Sequence, residues 1–217
     1  MVVSMERWVG KVAIVTGASA GIGAAISRNW TKESNKGKLY ACQTDMAKKE
    51  DILKAFQWVK DNLGPVHILV NNAGFTKATN LTDGDTVKNM RKNKVAGHII
   101  HINSVGGHYI PNLPNANVYP ASKHAVTALT ETLRQELNSI GSKIKVTSVS
   151  PGVVTTEFVD ACFTGSRTSP PPELKEMVQE LPSLQASDIA DGVLYVLATP
   201  PHVQDHELMI RPVGEPL

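Results

Sequence analysis

Cysteine is nearly absent: Cys42 and Cys162 are the only two in 217 residues. Two do not make a disulfide framework, which excludes the stapled secreted scaffolds and points to a reducing compartment. Aromatic residues make up only 5% of the chain, charged residues 19%, and the formal net charge is +2. So small a surplus gives no argument for nucleic acid, an acidic partner or a membrane surface. The one basic cluster, Arg91-Lys92-Asn93-Lys94, has no aromatics between its cations and reads as a solvated helix end. Long apolar runs are missing too. The longest stretch free of both charge and histidine, 12–27, is rich in glycine and short of the roughly 20 apolar residues of a membrane span. The N-terminus MVVSMERW has no apolar signal core, and neither end carries a lipidation motif. The expectation is a soluble, cytoplasmic protein.

What the chain does have is alternation. Hydrophobic residues make up 41%, and the length suits one α/β domain, 1–217, with a sizeable core. Short apolar runs suit strands at 11–16 (KVAIVT), 38–44 (KLYACQT), 66–71 (VHILVN), 98–103 (HIIHIN), 143–148 (KIKVTS) and 206–211. Longer segments between them suit helices at 23–32, 48–62, 119–140 and 187–197. In the second of these, Ile52, Leu53, Phe56 and Val59 share one face at the 3.6 period, and Gly64-Pro65 stops it. Gly141 stands where a C′ glycine ends the third, and Ser187 or Asp188 suits the cap of the last. The stretch 160–184, with Pro170-Pro171-Pro172, reads as irregular. Such βα repeats build a parallel sheet.

TGASAGIG (16–23) joins the first strand to the first helix. Glycines there allow a tight turn, close approach of a pyrophosphate and close helix–strand packing. The helix N-terminus adds unpaired N–H groups and a positive dipole end. The spacing G-x3-G-x-G departs from G-x-G-x-x-G, so position after a strand and before a helix carries the argument.

Tyr119-Pro120-Ala121-Ser122-Lys123 opens the longest helix. Pro120 suits the first helical position, and residues i and i+4 share a face, so Tyr119 and Lys123 point into one space. A nearby ammonium favours the phenolate. Bringing a phenol from about 10 to near 7 takes roughly 4 kcal/mol of differential interaction, and the product is a general acid/base. Alone, such a pair is more often a tyrosine packed on a lysine stem. Ser104 ends the fourth expected strand at its carboxyl end, where open α/β sheets hold ligands, and its hydroxyl could bond a substrate oxygen. His98 and His101, three apart in a strand, face opposite ways. His202, Asp205 and His206 sit in a proline-rich stretch that reads as surface, and HExxH and CxxC are absent, so no metal site is expected.

Together, TGASAGIG (16–23), Asp45 after a strand, NNAG (71–74), Ser104, YPASK (119–123) and SPGVVTTEF (150–158) resemble the short-chain dehydrogenase/reductase family. MERW (5–8), GHIIHINSVGGH (97–108), AVTALTETLRQEL (125–137) and the tail 196–212 are similar to its farnesol dehydrogenase and dehydrogenase/reductase member 11 subgroup. The resemblance implies a Rossmann-type doubly wound sheet, NADP ahead of NAD, and an apolar alcohol or ketone substrate such as an isoprenoid alcohol. It implies Tyr119 as acid/base, Lys123 as its partner and ribose ligand, and Ser104 on the substrate oxygen. Gly17, Ser19, Ile22 and Gly23 would line the phosphates, with Asp45 and Met46 at the adenine and Asn72, Ala73 and Gly74 along the cofactor. Pro151, Gly152, Val154 and Thr155 would face the nicotinamide amide. A homodimer or homotetramer is the implied assembly.

Two regions are short against that pattern. Between Gly23 and Lys38 there is room for one helix, so the family's second strand, and the residues that tell NAD from NADP, are absent. Between Gly74 and His98 only a short helix fits, about 85–95, and neither Asn89 nor Asn93 sits in the family's proton-relay motif. A natural deletion, a faulty gene model and segments missing from the sequence all fit. Asp45, 22 residues after Gly23, also admits a second reading. If 38–44 replaces the lost strand, Asp45 is the acid about 20 residues on that binds the ribose 2′-OH of NAD. Beside the enzyme stand a non-catalytic dinucleotide-binding relative and an interaction protein of the same fold.

Overall fold

The computed structural model describes residues 4–33, 37–46, 48–72, 85–110, 118–158 and 171–216. Five parallel strands form one sheet in the order β1-β2-β3-β4-β5: β1 (Val12–Val15), β2 (Val66–Asn71), β3 (His98–Ile102), β4 (Lys145–Pro151) and β5 (Glu207–Ile210). Register is set by pairs such as Val70 with Ile100, Ile99 with Val146 and Val149 with Leu208. Among the described residues, six α-helices accompany it: α1 (Gly21–Glu33), α2 (Lys49–Leu63), α3 (Asp85–Lys92), α4 (Val118–Ser139), α5 (Pro172–Glu180) and α6 (Ala186–Ala198).

The middle strands are apolar on both faces because helices cover both. On one side Ile26 of α1 and Val193, Val196 and Leu197 of α6 pack with Ile68, Val70, Ile100 and Val149. On the other, Val59 of α2, Val87 and Met90 of α3, and Leu133 and Leu137 of α4 pack with Val66, Ile99 and Val146. Removing buried methylenes forfeits transfer energy and leaves a cavity. Ile100, fully buried between its neighbouring strands, should therefore cost about 2–5 kcal/mol as Ile100→Ala. Leu39, 63% exposed, should cost no more than about 0.5 kcal/mol as Leu39→Ser. Urea midpoints at constant slope check the contrast.

The expected strand at 38–44 does not form. Residues 37–44 are neither strand nor helix, and the Tyr40 ring rests against Trp58 of α2 at 5.8 Å between centroids. The cause is non-local. The usual doubly wound order places further strands outside the first, whereas here β1 is an edge strand among the described residues. A strand needs a hydrogen-bonding neighbour, and among the described residues no strand pairs with 38–44. α1 and α2 pack on opposite faces of the sheet.

Two smaller corrections concern helices. The stretch 160–184 contains α5, because Pro172 falls in the first turn, where a missing N–H is harmless. The cap of α6 falls at Gln185 instead of Ser187 or Asp188: the Asp188 carboxylate accepts the Gln185 N–H at 2.7 Å, and the Asp188 N–H donates to the Gln185 carbonyl at 3.0 Å. Gly141 follows α4 at φ 64, the left-handed position expected of it.

Candidate active site

β3 delivers Ser104 to the carboxyl edge of the sheet, where the chain turns into a short 3₁₀ segment, Val105–Gly107. Ser104 caps that turn: its Oγ accepts the Gly106 N–H at 3.0 Å. With a lone pair so used, the hydroxyl hydrogen is left to donate elsewhere. α4 opens beside this turn. A β-carbon on Gly106 would stand 3.4 Å from both Ser104 Oγ and Tyr119 Cε1, so hydroxyl and phenol ring flank one point. One turn further along α4, Lys123 Nζ donates to the Ile102 carbonyl at 3.1 Å and lies 5.8 Å from the Tyr119 ring centroid. Burial pushes the Lys123 ammonium below its ordinary pKa. The three residues singled out from spacing and position are therefore brought together.

The platform beneath them was not foreseen. Asn103 Nδ2 donates to Thr127 Oγ1 at 2.9 Å, and Thr127 Oγ1 donates to the Gly107 carbonyl at 2.9 Å. This ties α4 to the Ser104 turn, four residues below Lys123. The signal was available: Thr127 and Thr130 continue the Lys123 face at helical spacing.

Across the sheet, the glycine turn is built around a close approach. A β-carbon on Gly23 would lie 2.5 Å from the Gly17 carbonyl oxygen and 2.6 Å from Asn72 Nδ2. Asn72, just past β2, donates from that nitrogen to the carbonyls of Thr16 (3.0 Å) and Gly17 (3.2 Å). Its own N–H donates to Thr16 Oγ1 at 3.1 Å. Asn72 thus braces the turn. Ser19 is exposed in the turn, and Ile22 packs inward on the core. The cradle that only glycine leaves open, at the N-terminus of α1, fits a pyrophosphate.

The loop after β4 lies next to this turn, with Thr156 Cγ2 3.3 Å from the β-carbon position of Gly21. Pro151 ends β4, and the loop carries Gly152, Val154 and Thr155. Val153 and Thr155 are pinned to Leu184 by bonds of 2.8 and 2.9 Å, and Val154 bridges to the same residue. Asp45 and Met46 are not brought to the site by any strand; the Asp45 carboxylate pairs with Lys48 at 3.3 Å on the surface. This removes the basis for reading 38–44 as a replacement strand with Asp45 on a ribose. Ala73 and Gly74 lie outside the described residues.

The two strand histidines face opposite sides, as their spacing requires. Thr147 spends its hydroxyl hydrogen on the Asp205 carbonyl (2.5 Å), so His98 Nε2 donates to Thr147 Oγ1 (2.7 Å). Thr130 likewise donates to Val126, so His101 Nδ1 donates to Thr130 Oγ1 (2.8 Å). Burial, aided by Lys145 and Arg7, lowers His98 to about 3, and burial lowers His101 to about 4. His206 instead pairs with Glu131 at 3.2 Å. Both lowered values lie below the unfolded value near 6.5, so between them the unfolded chain binds more protons and stability falls as pH drops. The loss should approach about 1.4 kcal/mol per pH unit for each histidine below 6.5. Urea midpoints at pH 7, 6 and 5 should show it, with a shallower slope in His101→Asn, whose amide can still donate to Thr130.

An acid/base pair at a helix start, a hydroxyl at a strand's carboxyl end and a phosphate cradle at the first βα turn define a dinucleotide-dependent oxidoreductase of the doubly wound class. The short chain dehydrogenase family model matches residues 29–91 and 82–166. The chain is 44% identical to farnesol dehydrogenase of Aedes aegypti, over 97% of this chain and 99% of that protein. It is 35% identical to dehydrogenase/reductase SDR family member 11 of Bos taurus, over 97% and 99%. Among solved structures, the closed form of serine dehydrogenase complexed with NADP+ superposes with a TM-score of 0.76 at 26% identity, covering 94% of this chain and 96% of that one. The chain belongs to the short-chain dehydrogenase family and is an oxidoreductase. The first alignment runs over 256 positions against 217 residues, so at least 39 positions have no residue here, in keeping with the open side of β1. Among the described residues, no helix is long and apolar enough to cross a membrane.

Proposed function

We propose that the protein transfers hydride between NADP, ahead of NAD, and an apolar alcohol or ketone of the isoprenoid-alcohol kind. The observation that carries this is the meeting of the Tyr119 ring and the Ser104 hydroxyl at Gly106, with the Lys123 ammonium anchored one helical turn away. The nicotinamide, when bound, supplies or accepts the hydride. The rest falls to this chain. Backbone N–H groups around Gly17, Ser19, Ile22 and Gly23 hold the phosphates. Lys123 has donors beyond the one given to Ile102 and directs them to the nicotinamide ribose. The loop Pro151 to Thr155 takes the nicotinamide amide. Ser104 donates to the substrate oxygen, and the Tyr119 hydroxyl gives or receives its proton, with the Lys123 charge favouring the phenolate.

Phe158 supports an apolar substrate. Its ring lies 5.6 Å from that of Tyr119, tilted by 58°, and 51% of it is exposed, so greasy surface lies beside the proton donor. The relative named for farnesol points the same way. A non-catalytic nucleotide binder or an interaction protein has no need of all three reacting side chains in place, and neither reading is favoured. A single domain, a cytoplasmic location and a homodimer or homotetramer belong to the same proposal.

The test is absorbance at the reduced-nicotinamide band with farnesol and either NADP+ or NAD+, and the reverse reaction with an apolar ketone. Turnover that prefers NADP+ supports the proposal. Thermal stabilisation by cofactor without turnover of any alcohol or ketone would favour the non-catalytic reading. No stabilisation by either cofactor would favour the interaction protein.

A further inference from the structure

The carboxyl end of the chain folds back onto the loop after β4. A turn closed by the Glu215 N–H on the Pro212 carbonyl (3.3 Å), with Gly214 at φ 84, sends the Glu215 side chain inward until 1% of it remains exposed. A buried carboxylate must be fully paired or it destabilises the fold, and this one is divided between two structures. Oε1 accepts the Val153 N–H at 2.9 Å, and Oε2 accepts Arg211 Nε at 2.7 Å. The contact with the loop is as close as backbone permits. A β-carbon on Gly152 would lie 2.6 and 2.8 Å from the two carboxylate oxygens, so the glycine of SPGVV makes room for Glu215.

Arg211 carries the link onward. Its guanidinium carbon lies 5.4 Å from the ring centroid of Tyr109. Tyr109 is fixed to the Ser104 turn through its N–H on the Val105 carbonyl (3.3 Å), and its hydroxyl is buried with no hydrogen-bond partner among the described residues. One carboxylate thus joins the loop that would face the nicotinamide to the turn that carries Ser104.

We infer that Glu215 is a positioning residue for hydride transfer, acting through Val153 on one loop and through Arg211 and Tyr109 on the other. This rests on the proposed oxidoreductase reading. The sequence motifs did not reach it, because the tail residue meets its partners only through the β4–β5 pairing.

The test uses the full chain. Glu215→Ala should weaken NADPH binding, read by fluorescence titration, about tenfold. It should lower kcat by a similar factor at temperatures well below its unfolding midpoint. Gly152→Ala, which displaces the same carboxylate without changing charge, should do likewise. Glu215→Gln keeps an acceptor for Val153 and should restore binding to within about threefold. A fall in Tm alone, with NADPH affinity and kcat unchanged, would make the tail merely structural and overturn the inference. A measurement on the unaltered protein guards against variants that fail to fold. NADPH should slow amide exchange in residues 211–216 together with 151–155, and protection confined to 151–155 would also overturn it. Failure of the unaltered protein to bind NADPH or turn over any alcohol would instead sink the functional proposal, and the inference with it.

Discussion

Tyr119→Phe is expected to lower kcat by about a thousandfold while leaving NADPH affinity within about twofold, since a positioned general acid/base contributes roughly 10²–10⁴. The substitution removes one oxygen. The ring keeps its place against Gly106 and Phe158, so packing and cofactor contacts survive and only the proton path is cut. Ser104→Ala should cost less, about ten- to a hundredfold, because it removes one hydrogen bond to the developing charge. It also frees the Gly106 N–H, so a small loss of stability should accompany it. Lys123 behaves differently. The side chain is half-buried and its ammonium satisfies the Ile102 carbonyl, so Lys123→Met should weaken cofactor binding and turnover together. Stopped-flow hydride transfer and NADPH titration separate the three patterns. Unchanged turnover in Tyr119→Phe would remove the phenol from the mechanism.

Most of this site was legible because its chemistry is local. Tyr119 and Lys123 are joined by helical spacing, Ser104 by its place at the end of an apolar run, and the glycine turn by its position between strand and helix. Strands β2 to β5 were legible for the same reason: they are short, apolar and bounded by turn residues. What escaped depends on partners distant in sequence. KLYACQT has strand composition, yet composition cannot provide the neighbour that β1's open side lacks. The reading of Asp45 as a ribose ligand loses its basis with it, since an acid at a strand end selects a ribose only if the strand is there. The bracing roles of Asn72, Thr127 and Glu215 were hidden because each bonds a carbonyl, hydroxyl or amide brought near only by sheet order or helix packing. α5 was missed because three consecutive prolines signal a break, although the last of them suits a helix start.

The open side of β1 also sets where cofactor affinity must come from. The glycine turn and Lys123 are in place for the proposed phosphate and ribose contacts, whereas the described residues offer no strand to wall the adenine. Binding then leans on the phosphate turn more heavily than in a relative with a full set of strands. Gly23→Val should for this reason be the most damaging single change to affinity, raising the NADPH dissociation constant at least about a hundredfold, equivalent to about 2.7 kcal/mol. The new β-carbon would sit 2.5 Å from the Gly17 carbonyl oxygen and 2.6 Å from Asn72 Nδ2. One neighbour is backbone, and the other is the amide that donates to two carbonyls of the turn, so neither can yield without opening the cradle. Overpacking of this kind costs about 1–3 kcal/mol of stability as well. Asn72→Ala separates the two effects: it leaves Gly23 uncrowded but strips the carbonyls of Thr16 and Gly17 of their shared donor. It should weaken NADPH by about tenfold, with a smaller shift in Tm than Gly23→Val. Isothermal titration and thermal unfolding on the two variants decide the matter. An unchanged NADPH affinity in Gly23→Val would show that the cofactor does not use this turn.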